Sequence, residues 1–131
     1  MYNKAEELKK SIMVKYKMVT KIKITECEEG IYLEIDFKNK SRREGVNILL
    51  KEGTMQIMSF CKSSYSYSEL DEAMNIVNSS LQFIKLYRKY EFVFAEMSGI
   101  YTDSAFVENA MLLYGRFLKD LRKAQKILEG I

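Results

Sequence analysis

The chemistry open to this chain is bounded first by what it lacks, because none of its 131 residues is histidine. Histidine is the commonest general base near neutral pH and the commonest metal ligand. Its absence excludes a Ser-His-Asp triad, a Cys-His pair and any histidine-bearing zinc site. Two carboxylates do fall at a suggestive spacing. Glu34 and Asp36 alternate along one strand face, about 7 Å apart by the strand repeat. Such a pair can share acid–base work or hold a divalent cation. A wet sheet face with Lys23 neutralising Asp36 explains the same residues more simply. Cys27 and Cys61 would be a redox pair only on adjacent strands with an activated, exposed thiol. Two cysteines are too few for a disulfide framework, and ordinary interior thiols are expected. The run Ser63–Ser68, with Tyr65 and Tyr67, offers hydroxyls for phosphorylation or rings for a partner. It also reads as a loop ending in a helix cap. The expectation is therefore no catalytic residue, no metal, no cofactor and no enzymatic activity.

Binding is better supported than chemistry. Lys9, Lys10, Lys15, Lys17, Lys21 and Lys23 crowd one segment, and Arg116, Lys119, Arg122, Lys123 and Lys126 another. Acidic neighbours interrupt both, and the net charge is only +3, so solvated faces are expected. Tyr16, Lys17, Lys21 and Lys23 leave single-stranded nucleic acid as the alternative partner. Leu49, Met58 and Phe60 are outliers of another kind. They sit on the sheet face that is otherwise Lys and Glu, and clustered exposed apolar groups mark contact surfaces. A covering helix, such as residues 3–15, is the competing explanation.

These residues need a scaffold, and the patterning supplies one. With 47% hydrophobic and 30% charged residues, the composition is that of a globular chain of one domain's length. No leader-like or membrane-spanning apolar run is visible, which places the protein in the cytoplasm, away from membranes. Asn3 caps a helix over residues 3–15. Ile22 and Ile24 alternate with lysines, and Ile31, Leu33, Ile35 and Phe37 alternate with polar residues. A turn at Glu29-Gly30 then sets Ile24 opposite Ile35, Ile22 opposite Phe37, Lys23 opposite Asp36 and Thr25 opposite Glu34. After a loop at residues 39–45, Val46, Ile48 and Leu50 turn at Glu52-Gly53 into Met55 and Ile57. Ser66 or Ser68 caps a central helix through Leu70, Ala73, Met74 and Val77, weakened at Asn78-Ser79-Ser80. Residues 81–88 fit helix or strand, and residues 90–97 fit a strand ended by Gly99. From Phe106 through Ala110, Leu113, Phe117, Leu121 and Ala124 to Leu128 the steps are three or four residues, with Thr102 or Asp103 as cap. A helix over 103–129 is about 40 Å long, against a domain diameter of about 35 Å. It should kink, overhang or meet a partner, which makes Leu121 and Leu128 candidate partner contacts alongside Leu49, Met58 and Phe60.

The stretch Leu70–Asn78, and Phe92-Val93-Phe94 ahead of Gly99 and the long run from Phe106, resemble the central helix and the last strand and helix of the YbjN-like and type III secretion chaperone-like families. The resemblance covers most of the chain as an order of elements. It implies a hairpin after the central helix, and so a strand over residues 81–88, although Arg88-Lys89 lacks turn residues. It also implies a non-enzymatic, often dimeric module that binds other proteins, and it transfers no catalytic residue.

The reading as a whole is a single α+β domain over residues 1–131. An antiparallel meander sheet carries an N-terminal, a central and a long C-terminal helix packed against it. The function expected is a chaperone-like or adaptor-like interaction module with a protein partner, and the family resemblance implies a homodimer. A nucleic-acid-binding protein and a small viral or mobile-element inhibitor are the alternatives.

Overall fold

Period-two alternation builds the sheet of this molecule, and the three-to-four-residue spacing builds its helices. In a computed structural model the helix α1 (Tyr2–Lys15) precedes four strands, β1 (Val19–Cys27), β2 (Gly30–Asn39), β3 (Arg42–Lys51) and β4 (Thr54–Cys61). The helix α2 (Tyr67–Ser80), the strands β5 (Lys85–Lys89) and β6 (Phe92–Ile100), a single 3-10 turn and the helix α3 (Phe106–Glu129) follow. The structure describes residues 1–39, 42–63, 65–90 and 92–129, apart from the side chains of Asn39, Arg42 and Tyr67. The six strands form one sheet in the order β1-β2-β3-β4-β6-β5. The expected α+β class and antiparallel sheet are both found. The meander covers β1 to β4, after which α2 carries the chain to the far edge, and β6 returns between β5 and β4.

Backbone contacts divide the chain into two compact units, Met1–Ile57 with Ser98–Tyr114, and Met58–Met97 with Gly115–Ile131. In the first, α1 packs on β1 and β2 and buries Ala5, Leu8 and Ile12. Its N-cap is Met1, with no side-chain cap, so Asn3 lies inside the helix rather than ahead of it. The inward face of β2 and β3 is Leu33, Ile35, Val46, Ile48 and Leu50, all fully buried.

The first hairpin closes two residues away from its expected register. Ile22 faces Ile35, Ile24 faces Leu33, Lys23 faces Glu34 and Lys21 faces Asp36, around a turn at Glu28-Glu29. Gly30 is therefore not a turn residue. A Cβ on it would lie 2.0 Å from the carbonyl oxygen of Leu50, so glycine is needed there for the close passage of β3. A slip of two keeps every side chain on its own face. Each buried Leu or Ile contributes about 2 kcal/mol, against less than about 1 kcal/mol for an exposed cross-strand charge pair. The inward face sets the architecture, and the charges re-pair within it. The strands also run further than expected. β2 and β3 pair as far as Asn39 and Arg42, which removes most of the loop expected at residues 39–45; Lys40 and Ser41 lie outside the described residues. At Glu52-Gly53 the expected turn is present, with Gly53 at φ 75°.

In the second unit, α2 packs against β5. Ser66 is its N-cap residue, but the hydroxyl donates to Glu69 Oε1 (2.6 Å) instead of accepting from the backbone. The helix persists through Asn78-Ser79-Ser80, where Ser79 and Ser80 close the last turn on Ile76 O and Val77 O. Residues 81–84 are irregular, and the strand expected from the family resemblance is β5. Its register with β6 sets Tyr87 opposite Phe94, and Tyr90, after the last residue of β5, is a turn residue at φ 59°. Tyr90 supplies the positive φ that glycine or asparagine usually provides. Glu91 lies outside the described residues.

The apolar stripe of the long C-terminal helix is covered. α3 is about 36 Å long at 1.5 Å per residue, and its stripe is buried from Phe106 to Leu128. A 3-10 turn at Asp103–Ala105 precedes it, so Thr102 caps that turn and not α3.

Candidate functional site

The outward face of β4, β6 and β5 in the second unit carries the largest group of open aromatic rings on the described residues of that sheet segment. Alternation turns Val93, Ala95 and Met97 inward, where they are buried, and so turns Phe92 and Phe94 outward. The same pleat turns Phe60 outward from β4 and Tyr87 outward from β5. Phe60 is 60% exposed and Phe92 52%. The four rings form a row. Phe60 lies 4.7 Å from Phe94 and 6.3 Å from Phe92, and Tyr87 stacks on Phe94 at 5.4 Å and 15°. Burial and a hydrogen bond to Glu96 both raise the Tyr87 hydroxyl above its ordinary pKa, burial being the larger cause.

Where β4 runs out, the row opens into a cleft of about 580 Å³ lined by Phe60, Cys61, Lys62, Ser63, Tyr65, Leu70 and Phe92. Its walls are mostly hydrocarbon, with the Lys62 ammonium as the cation among them. Clefts of this size and character hold apolar anchors or small molecules.

The expected partner contacts separate into two groups. Phe60 is exposed and Met58 half-buried. Leu49, Leu121 and Leu128 are corrected. All three are 1% exposed or less and have no surface to offer. Leu49 stands across from the half-buried Tyr32, with its Cδ1 3.6 Å from the Cβ position of Gly30. An aromatic–aliphatic cross-strand pair thus occupies a face expected to be polar. Leu121 and Leu128 belong to the buried stripe of α3 together with Phe117 and Ala124. Sequence reasoning did not single out Phe92, Phe94, Tyr87 or Leu70, whereas Tyr65 was among the rings it offered to a partner. The signal was present in the 92–97 alternation, whose two faces are both apolar, so periodicity alone did not say which one faces out.

The other candidates resolve into structure. Glu34 and Asp36 are exposed and stand across from Lys23 and Lys21. Among the described residues no three Cys, Asp or Glu side chains gather as a metal site. Neither cysteine forms a disulfide; Cys61 is buried as expected, whereas Cys27 is exposed. Tyr16 is half-buried and packs edge-on against Tyr114 at 5.1 Å, so its ring is engaged rather than open to a base. Desolvation raises its hydroxyl pKa.

A buried carboxylate that the sequence reading did not single out organises the irregular segment beside β5. Asp120 of α3 is fully buried, and its Oδ2 accepts the backbone N–H groups of Gln82 (3.0 Å), Phe83 (2.6 Å) and Ile84 (3.0 Å). The Arg116 guanidinium lies 4.9 Å from the centre of the Phe83 ring. Asn78 of α2 then clamps β5, its amide donating to Leu86 O (3.0 Å) and accepting from Leu86 N (2.8 Å). These contacts hold Tyr87 one residue further on.

No family model matches the sequence, and no curated protein does. Among solved structures the chain is similar to YbjN from E. coli, with a TM-score of 0.61 at 10% identity. The match covers 96% of this chain and 90% of that one. No helix among the described residues is long and apolar enough to cross a membrane. At such low identity the likeness concerns the course of the backbone, and in that sense the resemblance read from the order of elements is found: the chain has the fold of YbjN.

Proposed function

We propose that this chain is a non-enzymatic interaction module, chaperone-like or adaptor-like, that acts in the cytoplasm by docking a protein partner on the outward face of β4, β6 and β5. The observation that carries this reading is the row Phe60, Phe92, Phe94 and Tyr87, which stays open beside an apolar cleft. Open aromatic rings on a sheet face are costly in water and are the residues that dominate binding energy in protein interfaces. The absence of histidine from the sequence argues in the same direction.

The test compares the wild-type chain with Phe60→Ser and Phe92→Ser. Both rings are half or more exposed, so both variants should melt within about 0.5 kcal/mol of wild type. Proteins that co-purify with the wild-type chain from its native host should be lost from both variants. Retention of the same proteins on both would remove this face from the reading.

YbjN is described as a proposed transcription regulator, which keeps nucleic acid as the second reading. Lys62, Lys85 and Lys89 near the rings would suit phosphates. Binding of single- and double-stranded oligonucleotides over a salt series decides it, since phosphate contacts must weaken steeply with salt.

A further inference from the structure

We infer that the partner segment is an acidic peptide carrying one large apolar side chain, which fills the cleft beside Phe60 and Phe92; this rests on the docking reading above. Three observations select that occupant.

The first is the cleft itself. Phe60, Phe92, Tyr65 and Leu70 form a hydrocarbon wall around about 580 Å³, which accepts a Phe, Leu or Met anchor rather than a flat surface. The second is charge. The pleat of β5 puts Lys85, Tyr87 and Lys89 on one face, with Lys89 across from Phe92. Lys62 is in the cleft wall. Among the described residues of this face the carboxylate is Glu96, which already stands across from Lys85 and is bonded by Tyr87. Among the described residues, Lys62 in the cleft wall and Lys89 across from Phe92 are the cations beside the apolar opening, and the carboxylate of Glu69, next to Leu70, is already bonded by Ser66. A second copy of this chain would bring the same cationic patch against itself in a two-fold contact, which is repulsive. An acidic segment is attracted.

The third observation separates peptide from nucleic acid, which is also acidic. A base needs an open ring face on which to lie. Here Tyr87 and Phe94 stack on each other at 15°, and Phe60 leans against both Phe94 and Phe92. Tyr87 and Phe94 each give one face to the other, and Phe60 meets Phe94 tilted and Phe92 edge-on, so the row offers gaps between inclined rings rather than a flat platform, which suits an inserted side chain.

The experiment displays a random dodecapeptide library against the wild-type chain and counter-selects with Phe60→Ser and Phe92→Ser. The best peptides are then measured by fluorescence polarisation. The expected winners carry a Phe, Leu or Met flanked by Asp or Glu. They should bind at least about tenfold more weakly to Lys62→Glu/Lys89→Glu, and affinity should fall between about 50 and 500 mM salt. Winners that depend on Phe60 and Phe92 but are neutral or basic overturn the acidic partner and leave the docking face standing. No winner that depends on those rings overturns the docking face as well. Displacement of the best peptide by a thymidine oligonucleotide at lower concentration than by the peptide itself overturns the choice of a peptide.

Discussion

Asp120 shows how one residue can hold a segment that has no regular structure of its own. Residues 82–84 lie between α2 and β5 and belong to neither, so their N–H groups need partners outside a ladder or a helix. One carboxylate oxygen supplies all three. Hydrogen bonds to a charged acceptor are about twice as strong as neutral ones. Removing the acceptor strands the buried Ile84 N–H and the part-buried N–H groups of Gln82 and Phe83. Asp120→Ala should therefore cost about 3 kcal/mol in a denaturant melt, and Asp120→Asn, which retains an acceptor oxygen, about 1–2 kcal/mol. An alanine variant within about 0.5 kcal/mol of wild type would show that the three amides find other partners. The aspartate is hard to single out in sequence, because Lys119-Asp120 reads as an ordinary charged pair on a helix surface. Its burial depends on a backbone segment some 37 residues earlier in the chain, which no local pattern reports.

At the scale of the element, the question is how the short outer strand β5 stays in place. An edge strand offers unpaired backbone groups to any passing chain. Asn78 occupies both groups of Leu86 in the middle of β5, so α2 seals the edge as a neighbouring strand would. Further along, Arg88 grips Asp71 of α2 with Nε at 2.7 Å and Nη2 at 2.9 Å, and its Nη1 donates to Tyr90 O. The Arg88 hydrogen bond holds the Asp71 carboxyl below its ordinary pKa of 3.8. A carboxylate with a lowered folded pKa stabilises the fold above its unfolded pKa, and that stabilisation is lost as pH falls through the folded value. The stability of wild type should thus exceed that of Asp71→Asn at neutral pH and converge on it in acid below the ordinary carboxylate range. Parallel curves down to the lowest pH would show that the pair does not link α2 to β5. Sequence patterning found these elements more readily than their joints. The stripes of α2 and α3 and the alternation in β1 to β4 survive as inward faces, buried except at Ile24 and Leu113, which are half-buried. The first hairpin slipped by two because Gly30 serves β3 and not the turn. The β5–β6 turn was obscured because Tyr90 adopts a positive φ without being glycine or asparagine. The aromatic face of β4, β6 and β5 was half legible, at Met58 and Phe60, since its other rings come from two strands brought beside β4 only by the crossover through α2.

For the whole molecule, a backbone shared with YbjN at 10% identity means that few individual residues specify the fold. What must persist is the periodicity that turns one face of each element inward, and that is the part of the sequence that could be read directly. The same periodicity bears on whether residues 1–131 behave as one domain. Backbone contacts give two compact units, yet β4, β6 and α3 each run from one into the other, at Ile57, at Met97 and at Tyr114. Neither unit can unfold alone without stopping two strands and a 24-residue helix partway along their length. A helix broken in mid-course exposes backbone groups and half of its apolar stripe, which makes such an intermediate costly. The chain should therefore unfold in one cooperative step, as single domains of this length usually do. Native-state hydrogen exchange provides the check. The slowest amides of Leu33 and Ile48 in the first unit and of Val93 and Ala95 in the second should report the same opening free energy, within about 0.5 kcal/mol. A gap of several kcal/mol between the two sets would mean that the shared elements fray at those three points and that the chain holds two domains.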